Sequence, residues 1–406
     1  MNGAYLCAGD AGAAGELTTP VVPAAGVRCY LLHDEAILFS ERAQRLYHLN
    51  TAATFIWCCC EERLAPAAIA GALAKAFDVA PAAALGDVAG IVDEWRRLGL
   101  LAGDNDAGPA LAAGDDPVSL PAAPMPPPDG HHHCEHRYRL LDTCFRIRFP
   151  SARAAALGHP VLAHLEVPAA TPAAVTVDIT ADGQRHHLFM AGVLADSTDS
   201  IEELGPLLHA HTMMAAYAAT DCLIALHAGA VAAGDGCILL PGVSGSGKST
   251  LTAALAGAGF GYLSDELAVV LRTTRQVRPA PVSIGLKAGS WPVLAGFYPA
   301  IGALTVHRRG DGRRVRYLPP PAVCGADQRV RCIVFPQYRP GSATVLSPVT
   351  PARALCRLTA AGYDMNGGLD AARVAGLVDW ISGLACHELR FDSLTDAVAR
   401  LRELAP

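Results

Sequence analysis

Leu239-Leu240-Pro241-Gly242-Val243-Ser244-Gly245-Ser246-Gly247-Lys248-Ser249-Thr250 carries a complete phosphate-binding pattern, G-x-x-x-x-G-K-S from Gly242 to Ser249. Its flanks agree with it. Gly236-Cys237-Ile238-Leu239-Leu240 is a short apolar run that reads as a buried parallel strand, and Thr250 to Ala256 is spaced like a helix. Glycines let the backbone wrap an anion, and the N–H groups of the loop and helix N-terminus point at it. Gly242, Val243, Ser244, Gly245, Ser246, Gly247, Lys248, Ser249 and Thr250 are therefore expected to cradle a nucleotide with Mg²⁺ as its counterion; ATP is the expected donor, although no base-reading motif separates it from another phosphate donor. Lys248 is expected on the outer phosphates and Ser249 on the metal. A chance glycine-rich turn would not need the lysine, the serine and both flanks together.

Two further elements narrow the chemistry. Downstream, Gly259-Phe260-Gly261-Tyr262-Leu263-Ser264-Asp265-Glu266-Leu267-Ala268-Val269-Val270 places an acidic pair after one helix and before an apolar strand. Upstream, Leu226-His227-Ala228-Gly229-Ala230-Val231 puts a histidine on the strand preceding the loop. With the loop, these residues resemble the HPr kinase/phosphorylase family of bacterial P-loop serine kinases, which has a histidine before its loop and an acidic pair after it at a similar spacing. The resemblance implies that Asp265 is the catalytic base for a substrate hydroxyl, that His227 holds that carboxylate, and that Ser249, Asp265 and Glu266 attend the metal. Glu266 stands where the family usually has a second Asp. Taken alone, Asp265 also reads as the metal-ligand acid of an ordinary ATPase, and His227 as a core histidine.

The chain has 406 residues, enough for two or three domains. No apolar run is long enough for a membrane span, and the N-terminal twenty residues lack the pattern of a signal peptide. A net charge of −6 argues against a general nucleic-acid binder. The thirteen cysteines are scattered, form no C-x-x-C pair and lie largely in apolar segments, which fits a reducing, cytoplasmic setting.

Residues 1–25 read as a loose leader. Strands are expected at 27–32, 36–39 and 45–49, and helices at 51–61, 66–77 and 81–98, the order of a winged-helix-like module. Leu46-Tyr47-His48-Leu49-Asn50-Thr51-Ala52-Ala53-Thr54-Phe55-Ile56-Trp57 and Glu94-Trp95-Arg96-Arg97-Leu98-Gly99-Leu100-Leu101 resemble the PqqD-like family, the RiPP recognition elements. These domains hold the leader of a ribosomally made precursor peptide by adding it as a strand beside their third strand, against the third helix. The resemblance covers about 26–102 and implies a precursor peptide as partner, with Leu46, Tyr47, His48, Val88 and Trp95 at the groove. A winged-helix module serving dimerisation alone is the alternative.

Residues 103–136 read as a Pro/Gly/His linker, and His131-His132-His133-Cys134-Glu135-His136 as its solvated end in preference to a metal tract. Residues 137–406 form the second expected domain, α/β and HPr-kinase-like, without a separate sugar-regulation domain. The predicted fold class is thus an α+β winged-helix-like module followed by an α/β P-loop domain. Lys287 and the basic loop with Arg308, Arg309 and Arg313 are candidate phosphate or substrate contacts; each also reads as an ordinary surface cation. The family resemblance implies a tendency to homo-oligomerise. The combined expectation is a kinase acting on a hydroxyl, serine in the first instance, of a leader-captured peptide. An ATP-switched delivery protein, a phosphorylase and a kinase of another protein or small molecule are the other readings.

Overall fold

The computed structural model describes residues 17–102, 132–360 and 368–404. Most of the expected leader and linker, including His131, lies outside the described residues. The chain divides into two compact units. One holds the N-terminal module together with Pro351–Cys356 and Gly368–Ser382, and the other holds the remaining described chain.

The first unit is built on β1 (Val27–Leu32), β2 (Glu35–Ser40) and β3 (Arg45–Leu49), an antiparallel meander in the order β1-β2-β3. Three helices follow: α1 (Thr51–Glu61), α2 (Pro66–Phe77) and α3 (Pro81–Arg97). Asn50 caps α1 by accepting the amide of Ala53 at 2.9 Å. Proline opens α2 and α3, where a missing N–H costs nothing. Trp57 and Trp95 meet edge to face, with ring centroids 5.1 Å apart, among Ile56, Ile69, Leu73, Val88 and Val92. Residues 21–24, expected to be loose, are tied to this module. Val21 is buried, its amide donates to Leu64, and Ala24 donates to Leu100.

The expectation of an uninterrupted second domain over 137–406 needs correction. The helix Ala371–Ser382 carries buried Val374, Leu377 and Ile381, and it packs along β1 within the first unit. Tyr30 donates its hydroxyl to the carbonyl of Ala371 at 3.1 Å, and the Gln44 side-chain carbonyl accepts the Leu369 amide at 2.9 Å. An apolar helix face so far along the chain carried no mark of which sheet would cover it.

The second unit begins earlier than expected. Cys134–His136, assigned to the linker, open strand β4 (Cys134–Leu140), because pairing with β5 (Thr143–Phe149) satisfies their backbone. With β6 (Val175–Asp182), β7 (Arg185–Met190) and β8 (Val193–Thr198) they make a five-stranded sheet in sequence order. The helix α4 (Ala152–Leu162) links β5 to its parallel neighbour β6, and α5 (Leu204–Ala218) leads away from β8. The sequence reading had missed α4 and β8.

A nine-stranded sheet follows. Its path runs β12 (Gly261–Ser264), β10 (Ala228–Ala233), β11 (Gly236–Pro241), β18 (Gln328–Tyr338), β14 (Gln276–Arg278), β13 (Ala268–Leu271), β9 (Cys222–Leu226). Strand β20 (Ala385–Phe391) pairs parallel with β18, and β19 (Val345–Pro348) pairs with β20. The small sheet β15 (Ile284–Lys287), β17 (Arg314–Leu318) and β16 (His307–Arg308) stands apart. One core joins the two larger sheets: Phe145, Ile147 and Val177 pack in the same cluster as Tyr217, Ala225 and Val269. No described helix is long and apolar enough to cross a membrane.

Candidate functional site

Strand β11 is buried along its whole length and pairs antiparallel with β10 on one side and parallel with β18 on the other. It ends at Pro241, the glycine loop follows, and α6 (Lys248–Gly257) begins at the lysine. Gly245 and Gly247 have φ of +90° and +89°, a region that side chains disfavour. A Cβ at Gly247 would stand 3.0 Å from Tyr338 Cβ and 3.1 Å from the Phe391 ring, and one at Gly242 would stand 2.6 Å from Ser246 Oγ. The loop is thus held by close packing as well as by its turn, and it presents its amides at the N-terminus of a ten-residue helix.

Two charged groups at the loop lie where water does not reach, while Glu266 and Lys287 stay partly exposed. Lys248 is 5% exposed and Asp265 1% exposed. Among the described residues, the Lys248 ammonium, the Asp265 carboxylate oxygens and Ser246 Oγ have no hydrogen-bond partner at ordinary distance, although the Ser249 hydroxyl stands near enough to lower the Asp265 pKa. Buried groups of this kind are ordinarily satisfied, and orphans point to a ligand or ion. An ammonium and a cradle of amides suit phosphate. A hydroxyl from Ser249 and the carboxylates of Asp265 and Glu266 are hard oxygen donors that suit magnesium. The residues therefore fit the nucleotide and metal that the loop implies.

Burial pushes the Asp265 carboxyl up to about 6; the Lys248 ammonium opposes that rise and Glu266 reinforces it. Burial also lowers the Lys248 ammonium against the pull of Asp265 and Glu266. Burial alone would raise Glu266, yet the hydrogen bond from His227 and the charge of Lys248 hold it down at about 2. Two adjacent carboxyls thus titrate far apart, which separates a group able to take a proton near neutrality from one that stays charged.

His227 sits at the corner between β9 and β10, and its Nε2 lies 3.6 Å from Glu266 Oε2. The histidine expected to hold Asp265 is therefore placed against its neighbour. Lys287, at the end of β15, donates to Ser244 Oγ of the loop at 3.0 Å. Thr250 Oγ1 and Ser290 Oγ are 2.7 Å apart. Arg308 lies 3.8 Å from Glu203, while Arg309 and Arg313 lie 3.6 and 3.9 Å from Asp311. The basic hairpin is thus partly self-paired. Arg309 nevertheless acts electrostatically on His209 and Tyr317, which also feel Glu266.

A cleft of about 450 Å³ opens beside the loop, bounded by Gly242–Ser246 on one side and by Gln337, Tyr338, Arg339 and Arg357 on the other. Arg357 is held by Glu388 at 3.0 Å and lies over the Phe335 ring. The sequence reading had not assigned these residues to the site. Their signal was positional: β18 runs parallel to β11, so its carboxyl end emerges where the loop begins, the usual ligand edge of such sheets.

In the first unit, strand β3 pairs only with β2, which leaves its other edge open among the described residues. Tyr47 and His48 lie partly exposed on it; Arg45 covers the Tyr47 ring and His48 sits 3.1 Å from Glu35. Of the other expected groove residues, Val88 and Trp95 are buried in the Trp57 cluster, and Leu46 is buried outside that cluster, alternating along β3 with Tyr47. The sequence model of the family described as coenzyme PQQ synthesis protein D (PqqD) matches residues 35–101. This segment is a PqqD-like RiPP recognition element domain. The PqqD match spans β2 to the end of the α3 turn and stops before the glycine loop. No curated protein matches the chain.

Proposed function

We propose that this protein is an ATP-dependent kinase that phosphorylates a hydroxyl, serine in the first instance, of a ribosomally made precursor peptide. Its PqqD-like domain captures the leader of that peptide. The observation that carries the reading is the buried, unpartnered trio of Lys248, Asp265 and Ser246 at a glycine loop, with Asp265 pushed up to about 6.

Bound ATP with Mg²⁺ would supply the transferable phosphoryl group and neutralise its charge. The chain supplies position and a base. The amides of Gly242–Ser249 hold phosphate oxygens, and the Lys248 ammonium faces them from a site dry enough to strengthen its field. Ser249 Oγ and Glu266, which His227 keeps ionised, would hold the metal. Asp265 Oδ accepts the proton of the substrate hydroxyl as that oxygen attacks. Lys287 steadies the loop through Ser244, and the arginines of the 308–313 hairpin remain candidates for an acidic or phosphorylated substrate. The open edge of β3 offers backbone groups to an added peptide strand, and a tethered leader raises the local concentration of acceptor.

The test is incubation of the full chain with Mg²⁺-ATP and the short peptide encoded beside its gene, read as a phosphate mass shift. The shift should require the leader sequence. Leader binding without any phosphate transfer would instead establish a delivery protein.

A further inference from the structure

Away from the glycine loop, three side chains from separate segments converge on the outer part of the five-stranded sheet. His136 comes from β4, His159 from α4, and Glu166 from the end of the turn after α4. One donor atom from each can be chosen so that all lie within 4.8 Å of one another. The two imidazoles stack with centroids 4.3 Å apart, and His136 Nδ1 is 2.7 Å from Glu166 Oε1.

The backbone under this cluster is fixed. The Glu166 amide donates to Ala163, the Val167 amide donates to Arg137 of β4, and Tyr138 bridges to Glu166 across the same seam. Tyr138, itself buried, has its hydroxyl 2.8 Å from His159 Nδ1. That contact fixes the ring and leaves Nε2 as its outward nitrogen. A hydrogen bond on the second nitrogen is what orients histidines that bind metals.

We propose that His136, His159 and Glu166 form a binding site for a divalent transition-metal ion of the zinc class. Metal–ligand bonds of about 2.0–2.2 Å require tetrahedral donors to stand closer together than the present cluster. His136 and Glu166 are partly exposed, and rotation of their side chains about the fixed backbone would bring the donors to that distance. The metal takes the side of His136 Nδ1 that now faces Glu166; a neutral ring then carries its proton on Nε2, and a protonated ring releases one proton to solvent. Two imidazoles and one carboxylate favour zinc, cobalt, nickel or copper, whereas the hydroxyl and carboxylates near the glycine loop favour magnesium. The two sites thus select different ions. The proposal stands independently of the kinase reading.

The experiment uses the full chain, stripped of metal and then held in excess Mg²⁺, titrated with Zn²⁺ by calorimetry and with Co²⁺ by visible absorption. One saturable site is expected, with Co²⁺ giving the intense bands of tetrahedral coordination. Glu166→Gln and His159→Gln should abolish it, with folding checked by circular dichroism. Tyr138→Phe should weaken it by about 10- to 100-fold, as loss of an orienting hydrogen bond does. The double change His132→Gln/His133→Gln should leave it intact. The proposal is overturned if the parent protein shows no saturable Zn²⁺ site. It is equally overturned if binding survives Glu166→Gln and His159→Gln, or is lost with His132 and His133.

Discussion

The recognition domain and the glycine-loop region bury side chains to opposite effect. Within residues 35–101 the buried polar residues are Ser40 and Thr54. Each is satisfied by backbone: Ser40 Oγ accepts from Ala43 at 3.2 Å, and Thr54 donates to Leu49 at 3.3 Å. Everything else in that core is apolar, so its burial stabilises. Around the loop, Lys248 and Asp265 are as deeply buried as Trp95, and the charge each can carry is only partly offset by the other. Burial there costs stability and produces a reactive group. Sites that hold such groups trade folding free energy for function.

The sharpest way to break the contrast is to remove one group from each region. Asp265→Asn keeps shape and removes the base. Phosphoryl transfer in a single turnover should fall by about 10²- to 10⁴-fold, the usual contribution of a positioned base, while nucleotide still binds. Normal transfer by Asp265→Asn would end the kinase mechanism. In the parent protein, transfer should rise with pH through about 6 as Asp265 loses its proton.

Trp95→Ala should act through the fold. Deleting a large buried ring costs about 3–5 kcal/mol, and the partner ring of Trp57 loses its edge-to-face contact. Denaturant unfolding should show that loss in the recognition domain, with leader binding failing in step. Retention of full stability would place Trp95 at a groove after all.

Asp265→Asn should also move stability in the opposite sense from Trp95→Ala. The folded protein raises the Asp265 pKa from 3.8 to about 6, so folding favours the protonated form. The stability tied to that form is complete below about pH 4 and is lost as pH rises through 6. Asparagine imitates the protonated acid. Above pH 6 the variant should therefore be more stable than the parent, by on the order of 1–3 kcal/mol, and near pH 4 the two should match. Equal stability at pH 8 would mean that Asp265 is not strained by its charge.

The same contrast explains which parts were legible in the sequence. The first six elements of the recognition domain were readable because Asn50, Pro66 and Pro81 mark helix starts and the apolar spacing is regular. The groove residues came instead from the family resemblance, and three of them, Leu46, Val88 and Trp95, are buried. At the loop, the glycine pattern and the charges are visible in the sequence itself, and the structure brings Lys248, Asp265 and Lys287 together there. Residues reached only through sheet order escaped notice, among them Tyr338, Arg357 and the helix Ala371–Ser382. Parallel pairing of β11 with β18 joins segments far apart in the chain, and no local pattern encodes it. His136 was masked by its setting in a histidine run, since its partners His159 and Glu166 lie beyond the next strand.

His227 gives the smallest expected effect and tests the finest point of the site. The family resemblance assigned it to Asp265, yet it sits 3.6 Å from Glu266. Glutamate has one methylene more than the aspartate usual at that position, and the longer arm can carry its carboxylate to the imidazole. If the pair acts together, His227→Ala frees Glu266 to rise from about 2 under the pressure of burial, and it takes from Asp265 only the smallest of the influences on its pKa. Transfer should then fall only about threefold to tenfold, in the range of one pairwise coupling, and more Mg²⁺ should be needed to reach its maximum. The inflection should stay near pH 6, because burial and Lys248 act on the Asp265 pKa more strongly than His227 does. A cycle of His227→Ala with Glu266→Gln should be strongly non-additive, and one with Asp265→Asn nearly additive. The measurements are single-turnover transfer across Mg²⁺ concentration and pH for each single and double variant. Should His227→Ala shift the pH inflection and leave the Mg²⁺ requirement alone, the histidine serves Asp265, and the division of labour between the two carboxyls is other than drawn above.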